Sequence, residues 1–205
     1  MKSETVALMD PEELEDATAP AHAYCTGVWV DELKILTAAH CTKRSDRPAK
    51  PLFVATISDA FRYRAYEPAY KPALRPVFVI GLDKDHDLAM LVGMSGDFER
   101  HGHAITRVTS VVQTGDRVTT MGHSDGVWLW SYSSGDVAAI RRFDGTLYVQ
   151  TTAPTSHGNS GGGLFNSKGE LVGLGHGIDP DGSNLAFYVH PIHIQEFLAK
   201  HGLLF

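Results

Sequence analysis

Gly158-Asn159-Ser160-Gly161-Gly162 is the stretch on which the reading of this chain turns. A serine set among small residues exposes its hydroxyl and leaves neighbouring backbone N–H groups available to an anion. Gly158 and Ser160 would each aim an N–H at a tetrahedral oxyanion, while Gly161 and Gly162 let the chain turn closely behind the hydroxyl. Asn159 has a side chain able to turn inward and pin the loop. A nucleophile beside preorganised donors is what acyl transfer requires. Gly/Ser/Asn clusters also mark ordinary turns, so the motif gains meaning only from partners elsewhere in the chain.

Two such partners lie upstream. Thr37-Ala38-Ala39-His40-Cys41 puts a histidine just after an apolar strand, and Asp87-Leu88-Ala89-Met90-Leu91 puts an aspartate at the head of another. An imidazole can take the proton of Ser160 and later return it to a leaving amine. A carboxylate on the other ring nitrogen fixes the tautomer and stabilises the imidazolium. Asp83 and Asp85 lie close by, but only Asp87 directly precedes the apolar run.

With TAAHC, DLAML and GNSGG in that order, the chain resembles trypsin/chymotrypsin-like serine peptidases from about residue 22 to its C-terminal helix. The resemblance implies His40, Asp87 and Ser160 as the catalytic residues and Gly158 and Ser160 as the oxyanion hole. It also implies a disulfide between Cys25 and Cys41, sixteen positions apart. The residues alone leave open two buried free thiols, the form a reducing cytosol would favour. Many digestive members carry aspartate just before the serine, paired with a new N-terminus after zymogen cleavage. Asn159 cannot form that ion pair, so activation by cleavage is not expected. In this respect the chain looks more like the bacterial and viral branches, including the HtrA-type and glutamyl endopeptidases.

Specificity is less sharply written. Trypsin-like cleavage uses an aspartate six residues before the nucleophile; Pro154 stands there, which excludes tryptic preference. Thr155 and His176 match, the latter one or two places late, the pair that binds a Glu or Gln side chain in glutamyl endopeptidases, and His157 is a second histidine that could line the pocket. A one-residue slip on a strand turns a side chain to the opposite face. The other reading therefore stands beside this one: His176 faces solvent or the barrel and leaves a small or apolar pocket.

The remaining sequence bounds the fold. At 205 residues, 43% hydrophobic and 20% charged, the chain can fill the core of one domain or of two small subdomains. A formal charge of −6 speaks against nucleic acid. No apolar run approaches the ~20 residues of a membrane helix. Met1 to Pro20 is acidic and lacks the apolar core of a secretory signal, which fits either a cytoplasmic chain or a secreted one without its leader. Short apolar runs separated by turn residues argue an all-β fold, and the resemblance makes it two six-stranded antiparallel β-barrels with a C-terminal helix. The expected organisation is an acidic arm over 1–21, a first barrel over 22–97, a linker and start of the second half over 98–110, a second barrel over 111–190, and a helix and tail over 191–205. Asp10-Pro11-Glu12-Glu13 reads as a helix start within the arm. His101 with His103, and His190 with His193, lack a completing ligand set, so no metal and no cofactor is expected. The expected partner is a polypeptide substrate, and the expected state a monomer. A catalytically silent peptide-binding relative and an esterase with the same triad are the competing functions.

Overall fold

The computed structural model describes residues 5–10, 22–44, 51–56, 74–94, 105–125, 128–178 and 185–203. Twelve strands close into two barrels, each antiparallel and six-stranded. The first contains β1 (Thr5–Met9), β2 (Ala23–Trp29), β3 (Lys34–Ala38), β4 (Leu52–Thr56), β5 (Arg75–Asp83) and β6 (Leu88–Gly93), joined around the barrel as β1-β2-β3-β6-β5-β4. The second contains β7 (Arg117–Ser124), β8 (Trp128–Phe143), β9 (Thr146–Thr151), β10 (Gly163–Asn166), β11 (Leu171–Ile178) and β12 (Ala186–Val189), in the order β10-β11-β12-β9-β8-β7.

The expected arm is corrected at its start. Thr5–Met9 is a wholly buried strand that pairs with β2 on one side and β4 on the other, and so closes the first barrel. The reason is visible in Val6-Ala7-Leu8-Met9, a short apolar run whose burial outweighs the acidic residues after it. The helix start expected at Asp10 to Glu13 and the first part of the segment expected over 98–110 fall on or run into residues outside those described. In the second half, Trp128–Phe143 is one 16-residue strand, β8. Thr106 to Gln113 holds only a single bridge, Val108 with Leu171. The turn at Asp144-Gly145 has positive φ at both residues (47° and 86°), the geometry that Asp-Gly favours between hairpin strands.

Each barrel has its own apolar filling, built on Trp29, Ile35 and Leu91 in the first and on Val149, Leu164 and Tyr188 in the second. A third cluster joins them: Val28, Leu36 and Met90 pack with Phe165, Leu171 and the C-terminal helix α1 (Pro191–Lys200). Ile194, Phe197 and Leu198 are the buried face of α1, and His190 caps its start by accepting from Ile192 N. Among the described residues no helix is long and apolar enough to cross a membrane. Cys25 and Cys41 form a disulfide with Cα atoms 6.1 Å apart, tying β2 to the histidine segment. In the loop-entropy picture a bridge of this span contributes roughly 3 kcal/mol.

Candidate active site

His40 lies in a 3₁₀ segment (Ala39–Arg44) that continues directly from β3. Strand pairing brings it to Asp87. β3 and β6 run in register up to Ala38 opposite Leu88, and the next step places Ala39 beside Asp87. Ala39 N donates to Asp87 O (3.0 Å), His40 N to Asp87 Oδ1 (2.9 Å), and His40 Nδ1 meets Asp87 Oδ2 at 2.7 Å. Asp87 has φ of 56°, a left-handed conformation that Asp tolerates better than most residues and that turns the carboxylate back toward His40. Asp83, the rival, does a different job: it accepts from Asp85 N and His86 N and holds His86 Nδ1 at 2.9 Å, closing the turn before Asp87.

Asp87 carries a second imidazole. His176 Nδ1 lies 2.8 Å from the same Oδ2. Burial of Asp87 favours the neutral acid, but the hydrogen bonds from His176 and His40, with the His40 charge, together outweigh it and hold the carboxyl well below the usual range. An ionised carboxylate accepts only. Both histidines therefore present Nδ1–H to Asp87, and His40 keeps Nε2 as its basic nitrogen. The late position of His176 is resolved by a β-bulge. In the β11–β12 ladder Gly175 pairs with Tyr188 and Gly177 with Phe187, leaving His176 as the extra residue. A bulge of this kind re-aims a side chain beside an active site. His176 consequently reaches Asp87, rather than facing only solvent or the barrel, while it still lines the cavity next to the nucleophile.

That cavity, of about 200 Å³, is bordered by Thr155, His157, Ser160, His176, Phe187 and Tyr188 among others. Among the described residues no Asp, Glu, Lys or Arg lines it. Thr155 Oγ1 lies 3.2 Å from Tyr188 OH and from Ala153 O. Tyr188 OH in turn donates to Thr120 Oγ1 at 3.2 Å, so the buried floor is a chain of neutral hydroxyls. Phe187 and Tyr188 were not singled out by the sequence reading; they come from a strand far along the chain with no motif of its own.

The Ser160 loop is held tightly from behind. Gly161 N donates to Gly175 O and Gly175 N to Gly162 O, both at 2.8 Å, while Gly162 N donates to Asn159 O at 2.9 Å. Gly161 has φ of 77°, and a Cβ there would run into Thr37 Oγ1 and Thr26 O, so only glycine fits. Cys41 Sγ lies 3.8 Å from Ser160 O, which puts the disulfide against the loop. Asn159 does turn inward, at 4% exposure, against the backbone of Gly122. Among the described residues its Oδ1 finds no hydrogen-bond partner, so this oxygen does not do the pinning expected of the side chain. The loop is instead anchored by Thr26 of β2, which the sequence reading missed: Thr26 N donates to Ser160 O (2.8 Å) and Thr26 Oγ1 to Gly158 O (2.7 Å). Among the described residues no acceptor takes the N–H of Gly158 or Ser160. Cys25 and Cys41, though close to His40, are bound to each other and offer no thiolate to a metal.

Comparison with known proteins agrees with this geometry. Residues 25–174 match the family model for the trypsin-like peptidase domain. A probable periplasmic serine endoprotease, DegP-like, from Buchnera aphidicola is 28% identical over 192 residues, covering 89% of this chain and 37% of its own length. The periplasmic serine endoprotease DegP of Salmonella typhimurium is 32% identical over 114 residues, covering 52% of this chain and 23% of its own. The chain thus spans about a third or less of the curated relatives it matches. Among solved structures, the active form of the Rv3671c protease from M. tuberculosis superposes with a TM-score of 0.72 at 17% identity, covering 100% of this chain and 83% of that one. A serine endoprotease from Yersinia pestis does so at 0.71 and 19% identity, covering 97% of this chain and 62% of that one. Those two likenesses concern the fold; the family match spans most of the chain, and the chain belongs to the trypsin-like serine peptidases, with features shared with their DegP-like members.

Proposed function

We propose that this chain cleaves polypeptides through an acyl-enzyme formed on Ser160. The observation that carries the proposal is the ionised Asp87 on His40 Nδ1 at 2.7 Å, at a site whose nucleophile loop keeps two N–H groups unengaged. Ser160 Oγ attacks the substrate carbonyl carbon as its proton passes to His40 Nε2. The resulting oxyanion takes the Gly158 and Ser160 N–H groups, whose fixed placement needs no reorganisation during reaction. Asp87 stabilises the imidazolium, which then gives its proton to the leaving amine. Water, deprotonated by the same imidazole, releases the acyl group.

The cavity beside Ser160 is the binding site for the residue before the cleaved bond. Its walls are Phe187, Tyr188 and Ile178, its polar side chains include hydroxyls and imidazoles, and among the described residues no carboxylate, lysine or arginine faces it. It therefore suits small or apolar residues. His176 spends Nδ1 on Asp87, which favours this reading over recognition of Glu or Gln. A peptide library tests the assignment: cleavage after Ala, Val, Leu or Phe is expected. Dominant cleavage after Arg or Lys would refute the pocket, and dominant cleavage after Glu or Gln would return Thr155 and His176 to substrate binding. An ester substrate run beside its amide separates peptidase from esterase, since a dedicated esterase would leave the amide intact.

A further inference from the structure

Thr26 anchors the nucleophile loop across the barrel interface, and the direction of its single hydroxyl proton decides whether that anchor works. Thr26 Oγ1 is fully buried and has two neighbours: Gly158 O at 2.7 Å and His123 Nδ1 at 2.7 Å. The carbonyl can only accept. The hydroxyl proton therefore goes to Gly158 O, and His123 must supply the other hydrogen, as an Nδ1–H donor to Thr26 Oγ1. The tautomer of His123 follows from the geometry alone.

Everything around His123 keeps it in that form. It is completely buried in β7, at a bulge where Gly122 pairs with Ser131 and Ser124 with Trp128. Trp130, on the bulged partner strand with φ of 56°, sets its ring edge-on at 4.9 Å. Among the described residues His123 Nε2 finds no hydrogen-bond partner. Burial pushes the pKa of the ring down to about 3, so it stays neutral at working pH.

The consequence falls on the oxyanion donors. Gly158 has φ of 90°, a conformation in which glycine rotates at little cost, so the Gly158–Asn159 peptide that joins the two donors needs an outside constraint. Thr26 supplies it, holding Gly158 O, between the two donors, by its hydroxyl and Ser160 O, just after them, by its N–H. We infer that His123 is a positioning residue for the oxyanion hole: by donating to Thr26 it aims that hydroxyl at Gly158 O and so fixes the N–H groups of Gly158 and Ser160. A neutral relay between the barrels thus fills the place that an aspartate ion pair holds in the digestive members. The inference rests on the peptidase reading proposed above.

Two measurements on the intact chain test it. In ¹⁵N-histidine NMR of the wild type, His123 should show a protonated Nδ1 and a lone-pair Nε2, unchanged between roughly pH 5 and 9; an Nε2–H tautomer would overturn the relay whether or not the protein turns over substrate. In kinetics, His123→Leu removes the donor and should lower kcat about tenfold with KM nearly unchanged, a fraction of the loss seen when a direct oxyanion donor is removed. His123→Asn, whose amide nitrogen can reach the same oxygen, should recover most of that loss. Thr26→Val should be at least as damaging, and combining it with His123→Leu should add nothing further. Full kcat in His123→Leu, or strictly additive losses, would refute the role of His123 while leaving the peptidase reading intact. Inactivity of the wild type would instead refute that reading. If His123→Leu does not fold, the wild-type spectrum and the His123→Asn kinetics still decide the question.

Discussion

His40 and Asp87 meet because two neighbouring strands of one barrel run in register, whereas Ser160 is placed by a glycine loop that borrows its anchor from the other barrel. On the base side, the contacts between His40 and Asp87 lie at the end of the β3–β6 ladder, where main-chain N–H groups fix both a side-chain oxygen and the backbone of Asp87, and His176 of β11 adds one bond from the second barrel. On the nucleophile side the loop's own side chains contribute little; even the inward Asn159 leaves its Oδ1 unpaired. Its support comes from the main chain of Gly175 behind it and from Thr26, across 132 positions of sequence to Gly158. A ladder fixes its residues as a by-product of folding the barrel. A docked loop depends on single hydrogen bonds, each able to tune the site without unfolding it.

The contrast can be broken on the base side first. Asp87→Asn keeps the shape but supplies the wrong hydrogen-bond partner for Nδ1–H, so kcat should fall by roughly 10⁴ while the circular dichroism spectrum stays native. A loss under tenfold would mean that the ladder, not the carboxylate, orients His40. The second imidazole on Asp87 is a finer probe. His176→Leu removes one of the donors to the carboxylate and should lower kcat by roughly tenfold, the scale of one charge-assisted hydrogen bond. His176→Asn, which can still donate, should lose much less. Equal losses in both variants would assign His176 to substrate contact instead.

The smallest effect concerns acid stability rather than rate. Burial lowers the pKa of His123, and likewise of His190 and His193, below the unfolded value of about 6.5. Between that pH and their folded values the unfolded chain binds protons that the native chain refuses, so stability drops as pH falls. Asp87, also lowered, continues the loss below about pH 3.8. Urea midpoints should decrease steadily from pH 7 to 4.5, and His123→Asn should flatten the slope. A midpoint independent of pH over this range would contradict the buried, neutral state of His123.

These two sides also differ in how far they could be read in advance. TAAHC, DLAML and GNSGG are local strings, and the resemblance they carry pointed to the His40–Asp87 pair, the double barrel and the bridge from Cys25 to Cys41. β1 was missed because five buried residues flanked by acidic ones carry no period long enough to stand out, and their partners β2 and β4 are distant in sequence. His176 was found but aimed wrongly in part, since the bulge that turns it to Asp87 has no signature beyond the glycines on either side. Thr26 and His123 look like any strand threonine and any histidine. Their role exists only where β2 meets β7, 97 positions apart.

The most direct measurement is the intact mass after treatment with a fluorophosphonate, which forms a covalent adduct only with a serine activated by its base and oxyanion hole. One adduct per chain is expected, located on Ser160, absent in Ser160→Ala and strongly slowed in His40→Ala. An unmodified wild-type chain, or an adduct that persists in Ser160→Ala, would contradict the proposed acyl-enzyme on Ser160.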